Sequence, residues 1–165
     1  LARLKWSSDL DTGITEIDNQ HKRIVDYINR LYKSQTMGNR KGVGEVIEEM
    51  VDYTASHFTF EEGMLESAGY EFSKAHRRVH ELFVRRVVEY KNRFNAGEDV
   101  IDELLTLLSR WLFSHIRSED HAYVASVHAY LRTRRGYKDK MGDDLLRELE
   151  ERSQKKGLLA RLFGR

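Results

Sequence analysis

Apolar residues recur along this chain at alternating steps of four and three, the spacing that gathers them on one face of an α-helix. In a first segment, roughly residues 16 to 35, the stripe is Ile17, His21, Ile24, Ile28 and Leu31, with Thr15 as the expected N-cap. A second, roughly 41 to 67, reads Val43, Ile47, Met50, Thr54, His57, Glu61 and Met64 and ends near Gly69. A third, from about Ser73 to Phe94, runs His76, His80, Phe83, Val87, Tyr90 and Phe94 and stops at Asn95-Ala96-Gly97. The fourth, from about Glu98 to Leu131, runs Ile101, Leu105, Leu108, Leu112 and His115. There is no proline to interrupt any of them. The short connections favour antiparallel neighbours, so the predicted fold is all-α, an up-down-up-down four-helix bundle over residues 1–131. The first 15 residues, with Trp6, lack a helical period and are expected to cross the bundle as an N-terminal arm. Residues 132–165 read as a basic linker and a C-terminal amphipathic helical extension.

Composition narrows this picture. The chain has 165 residues, 40% hydrophobic and 33% charged, enough for one domain with a real core. The net charge of +1 conceals an imbalance. Residues 1 to 130 hold 17 Lys and Arg against 21 Asp and Glu, whereas residues 131 to 165 hold 11 against 6, giving −4 and +5. An acidic body without a basic, aromatic-lined groove argues against nucleic acid as a partner. Cysteine is absent, which excludes disulfides and thiolate metal sites and fits a reducing, cytoplasmic compartment. No apolar run approaches the ~20 residues that span a bilayer.

The chemistry lies on the apolar stripes themselves. A single imidazole on a buried face is ordinarily a hydrogen-bonded core residue. Here five of seven histidines fall on four such stripes, and burying them without a shared partner would cost roughly 1–3 kcal/mol each. His57 with Glu61 and His76 with His80 are i, i+4 pairs able to converge on one ion. Neutral imidazoles with carboxylates suit Zn, Fe, Mn or Cu. Five histidines and two carboxylates exceed the needs of one tetrahedral zinc, and favour two metals bridged by carboxylates.

The second carboxylate is not the one bare spacing suggests. Glu119 lies at i+4 from His115, while Asp120 lies at i+5, about 140° round an ideal helix. Downstream, however, the row Ile116, Asp120, Tyr123, Val127 and Leu131 is largely apolar, and the row Glu119, Ala122 and Ser126 is small and polar. The buried stripe therefore slips by one residue near His115 and carries Asp120 inward. Glu62, one residue off its stripe, is expected to be a bystander, and His121 and His128 are expected at the surface.

The segments IDNQH (17 to 21), HFTFEE (57 to 62), HRRVH (76 to 80) and WLFSHIRSED (111 to 120) closely resemble the hemerythrin family in its bacterial single-domain form. The resemblance spans about residues 4 to 131 and includes seven ligand positions in order. It implies that His76, His80 and His115 hold one iron, that His21 and His57 hold the other, and that Glu61 and Asp120 bridge the two with an oxo or hydroxo group. It implies that O2 binds reversibly at the open position of the two-histidine iron, for carriage, storage or delivery. Ile24, Phe58, Trp111, Leu112 and Ile116 occupy the positions that line the O2 pocket in that family. A histidine-dominated site also differs from the carboxylate-rich Glu-x-x-His sites of many di-iron bundles, which favours a carrier over an enzyme. A di-iron oxidase or peroxidase using the same ligands is the alternative. A third reading is an O2-sensing or interaction module acting through the tail.

In that tail, Leu145, Leu146 and Leu149, and then Leu158, Leu159, Leu162 and Phe163 beside Arg161 and Arg165, form amphipathic turns. Residues 143–165 would suit an anionic membrane surface or a protein partner. Folding back on the bundle is the other reading.

Overall fold

The computed structural model describes residues 3 to 135 and the single position 147. Beyond residue 135 the linker and the amphipathic tail, position 147 apart, lie outside the described residues. A short 3₁₀ turn, Ser8–Leu10, precedes α1 (Thr15–Thr36), α2 (Arg40–Ser67), α3 (Ser73–Asn95) and α4 (Ile101–His115). A π-helical turn, Ile116–Asp120, then joins α4 to α5 (His121–Arg135) in one continuous helical run past the expected end at Leu131. There are no strands among the described residues.

The helix ends follow local chemistry. Thr15 is the first helical residue and not the cap, which is Ile14 without a side-chain bond. The entry is fixed by buried Asp18, whose carboxylate accepts from the Thr12 and Gly13 N–H groups at 2.8 and 3.1 Å and from Thr12 Oγ1 at 2.7 Å. A carboxylate in the first turn also complements the helix dipole. Asn39 caps α2 by accepting from Gly42 N at 2.9 Å. Gly69 and Gly97 end α2 and α3 at φ of +65° and +98°, a region that glycine enters without penalty.

Helix α1 packs on α2 and α4, and α3 packs on α2 and α4, so the four rods close a ring. The connection 37–39 spans at most about 14 Å when extended. A 22-residue helix is about 33 Å long, so so short a connection cannot return the chain to the same end, and α1 and α2 run in opposite directions. The 68–72 and 96–100 connections impose the same reversal. The all-α four-helix bundle is therefore present as expected.

Every residue of the first, second and fourth stripes is buried, and on the third only Tyr90 is half-buried. The apolar core divides in two. A larger cluster includes Ile24, Ile28, Leu31, Ile47, Met50, Phe58, Leu104, Leu108, Leu112 and Ile116. A smaller one holds Ile14, Ile17, Phe60, Met64, Leu65, Tyr123 and Val127. The arm covers the bundle through fully buried Leu10 and through Leu4 and Trp6, which pack on the larger cluster. Leu4 exchanges backbone hydrogen bonds with the Asn29 side chain at 2.8 and 3.1 Å, and Arg117 Nε donates to Asp9 at 2.8 Å.

Candidate metal centre

Seven buried polar side chains, His21, His57, Glu61, His76, His80, His115 and Asp120, are each at most 4% exposed and converge inside the bundle. Helix α1 supplies His21, α2 supplies His57 and Glu61, α3 supplies His76 and His80, α4 ends on His115, and the π turn ends on Asp120. Two groups have all their ligand-type atoms within 4.8 Å of one another: Glu61, His76, His80 and His115, and His21, His57 and Glu61. Glu61 belongs to both. Its Oε2 lies 3.1 Å from His76 Nε2 and 3.2 Å from His80 Nε2, and its Oε1 accepts a short hydrogen bond from Tyr123 OH. Asp120 also faces both groups. Oδ1 is 3.0 Å from His115 Nε2 and 3.5 Å from His76 Nε2, and Oδ2 is 3.3 Å from His21 Nε2.

The π turn explains how Asp120 comes inward. A π turn inserts one extra residue into the helical ladder, so a residue at i+5 takes the azimuth that i+4 has in an α-helix. Asp120 is fully buried, Glu119 is half-buried, and the row continues through buried Tyr123 and Val127. His121 is exposed and His128 half-buried, and neither joins the cluster.

The hydrogen-bond inventory is unbalanced in a way that a cation would correct. Both ring nitrogens of His21, Nδ1 of His115 and both carboxylate oxygens of Asp120 are buried without a hydrogen-bond partner among the described residues. His80 Nε2 faces His115 Nε2 at 3.0 Å, a contact that holds one proton at most between two bases. A buried cluster of converging lone pairs is costly unless something positive accepts them. Neutral imidazoles and carboxylates with no thiolate fit iron, manganese or zinc by donor type.

Partners behind the rings orient them. His57 Nδ1 lies 2.7 Å from Gln20 Oε1, and His80 Nδ1 lies 3.2 Å from Glu62 Oε1. An N–H donated outward at Nδ1 leaves the Nε2 lone pair facing the cluster. Glu62 is thus no bystander: it is 2% exposed, and it also accepts from Arg77 Nε at 3.0 Å. The stripe assigned α2 one buried face, but near the site Phe58, Phe60, Glu61, Glu62, Met64 and Leu65 are all buried. Gln20, Tyr123 and Arg77 were likewise not among the expected site residues. The sequence signal available for Gln20 and Arg77 is adjacency, since Gln20 precedes His21 and Arg77 follows His76, and for Tyr123 it is the apolar row that it shares with Asp120.

Burial, reinforced by the neighbouring His57 and His80 respectively, holds His21 and His115 well below the usual imidazole range, and burial lowers His57 to about 4. At His80 burial is outweighed by hydrogen bonds to Glu61 and Glu62, which raise it. Burial pushes Glu61 up, but hydrogen bonds with His76 and His80 hold it well below the carboxylate range. Asp120 rises well above that range through burial and the nearby Glu61 charge. Three imidazoles are therefore poised as neutral donors.

Of the five expected pocket residues, Ile24, Phe58, Leu112 and Ile116 are buried and Trp111 is half-buried. Phe58 stacks on His80 with ring centroids 3.8 Å apart and also lies 5.6 Å from the His57 ring. Trp111 stacks on His115 at 4.3 Å and on Phe83 at 3.7 Å. These two aromatics wall the three-histidine group most closely.

The family model for the hemerythrin HHE cation binding domain matches residues 12–127. The chain is 61% identical over 127 residues to a bacteriohemerythrin of Pseudomonas aeruginosa, covering 77% of this chain and 83% of that one. It is 57% identical over 131 residues to a bacteriohemerythrin of Stenotrophomonas maltophilia, covering 79% and 86%. The crystal structure of wild-type hemerythrin superposes with a TM-score of 0.73 at 29% identity, over 76% of this chain and 98% of that one.

Proposed function

The chain belongs to the hemerythrin family, and on that premise we propose that it binds O2 reversibly at a non-heme di-iron centre, for carriage, storage or delivery, and is not an enzyme. His76, His80 and His115 would hold one iron, His21 and His57 the other, and Glu61 and Asp120 would bridge them. The observation that carries this reading is the position of Glu61 as a member of both histidine groups, with Asp120 turning one oxygen to each. When bound, the iron pair supplies the electrons that make O2 uptake possible.

The protein's part is to hold, orient and dry the site. Gln20 and Glu62 each take a ring N–H, which turns the Nε2 lone pairs of His57 and His80 inward. Tyr123 OH donates to Glu61 Oε1 and fixes the carboxylate plane. Five histidines and two carboxylates bring little negative charge, which disfavours the high oxidation states that oxygenases use. Buried Ile24, Phe58, Leu112 and Ile116 keep water from the interior, limiting the proton supply that would convert reversible binding into oxidation. His121, His128 and Glu119 take no part.

No helix among the described residues is long and apolar enough to cross a membrane. The test is an optical cycle on iron-loaded protein. Reduction, addition of O2 and its removal should make a visible charge-transfer absorption appear and then vanish over repeated cycles. A single irreversible conversion would favour the oxidase or peroxidase, and one zinc per chain on metal analysis would contradict both.

A further inference from the structure

We propose that Glu62 is a positioning residue that sets the two metals apart: it gives His80 an anionic hydrogen-bond partner, whereas His57 on the other side has the neutral amide of Gln20. The inference rests on the reading of His80 and His57 as ligands.

Glu61 and Glu62 are neighbours on α2 and project about 100° apart around its axis. Glu61 points into the centre and Glu62 toward α3, where Arg77 and His80 stand three positions apart on one face. Glu62 spans both. Its Oε1 is 3.2 Å from His80 Nδ1, and its Oε2 accepts from Arg77 Nε at 3.0 Å. Arg77 in turn donates a short bond to Glu66. The arrangement is therefore a relay of side chains from the surface to a ligand ring: Glu66, Arg77, Glu62, His80. Arg77 and the His80 ring N–H share the carboxylate that is buried behind His80, so each of its oxygens has a partner.

On the two-histidine side, Gln20 Oε1 is 2.7 Å from His57 Nδ1. Both acceptors fix a ring and its tautomer, but only the carboxylate adds negative charge to it. A charged acceptor binds its donor more strongly and makes the ring a better electron donor to a metal. A metal held by His76, His80 and His115 would thereby receive a stronger push and be held more firmly in its oxidised form, and one held by His21 and His57, with a neutral partner behind His57, would be the more adaptable.

The test uses the iron-loaded full chain, with the midpoint potential read by spectroelectrochemical titration, iron affinity by chelator competition, and thermal unfolding in parallel. Glu62→Gln keeps the size and one acceptor oxygen but removes the charge. It should still bind iron, with roughly 10–100-fold weaker affinity and a raised potential. Arg77→Gln cuts the same tie between α2 and α3 but frees the Glu62 charge to act on His80, so its potential should fall. Gln20→Glu should also lower it. Both Glu62→Gln and Arg77→Gln should lower the unfolding temperature, so opposite shifts in potential separate an electronic role from a structural one. Wild-type potential and affinity in Glu62→Gln, or shifts of the same sign in both, would overturn the proposal and leave Glu62 as an interhelical tie. If the wild-type chain takes up no iron, the underlying reading fails instead.

Discussion

On the α3 and α4 side of Glu61, His76, His80 and His115 crowd together and are walled by stacked Phe58 and Trp111. On the α1 and α2 side there are two imidazoles, His21 and His57, edge to face at 4.8 Å, with Trp6 of the arm 6.3 Å from His21. The same bundle thus builds one side for holding and leaves the other short of a donor. If the two groups hold the proposed iron pair, the difference teaches how a rigid scaffold could retain a metal and still leave room for a ligand: the two tasks would fall to different helix pairs, with Glu61 and Asp120 keeping them in register.

Removing the shared group should erase the comparison altogether. Glu61→Ala takes a carboxylate from both groups and strands Tyr123 OH and His76 Nε2. Iron analysis should show loss of both ions, and denaturation should show a cost of about 3–5 kcal/mol for the broken buried pair. A smaller and one-sided effect is expected from His21→Ala. It should leave about one iron per chain, held by the three-histidine group, with the optical response to O2 lost. Full retention of both ions would mean that the two sides are not separate.

Acidification tests the sides through their protons. In the metal-free protein His57 titrates at about 4, below its ordinary 6.5, and His21 and His115 shift the same way. Below 6.5 the unfolded chain takes up protons that the folded chain refuses, so stability is greatest above 6.5 and is lost as pH falls toward 4. Glu61, also lowered, adds to the loss in acid, and the raised His80 and Asp120 oppose it. From pH 7 to 5, His57 alone should cost about 2 kcal/mol, measured by guanidinium titration of the metal-free protein. The smallest effect is expected from Tyr123→Phe, which removes one donor to Glu61. It should cost about 1 kcal/mol and leave iron content unchanged.

Much of this was legible because the stripes are strongly periodic. Ile17 to Leu31 and Val43 to Met64 each mark a face that is in fact buried, and the histidines sit in the same register. Even the slip that turns Asp120 inward was visible in the apolar row through Tyr123 and Val127, although its form as a π turn was not. What escaped was set by tertiary packing. A one-stripe view of α2 leaves Glu62 outside, but near the site that helix is enclosed by α1, α3 and α5, so residues off the stripe are buried as well. Gln20 and Arg77 gain their roles only from partners on other helices, at separations of 37 and 15 residues in sequence. The bounds of α1 agree with the stripe, but its cap was missed for a similar reason, since Asp18 reaches back to the loop and Thr15 does not cap.

The most direct measurement is repeated deoxygenation and reoxygenation of the reduced, iron-loaded protein, followed by visible absorption and iron content together. Reversible O2 binding at a two-iron centre requires an absorption band that returns over successive cycles at two irons per chain. A band that fails to return after the first exposure, or a chain that holds no iron, would contradict it.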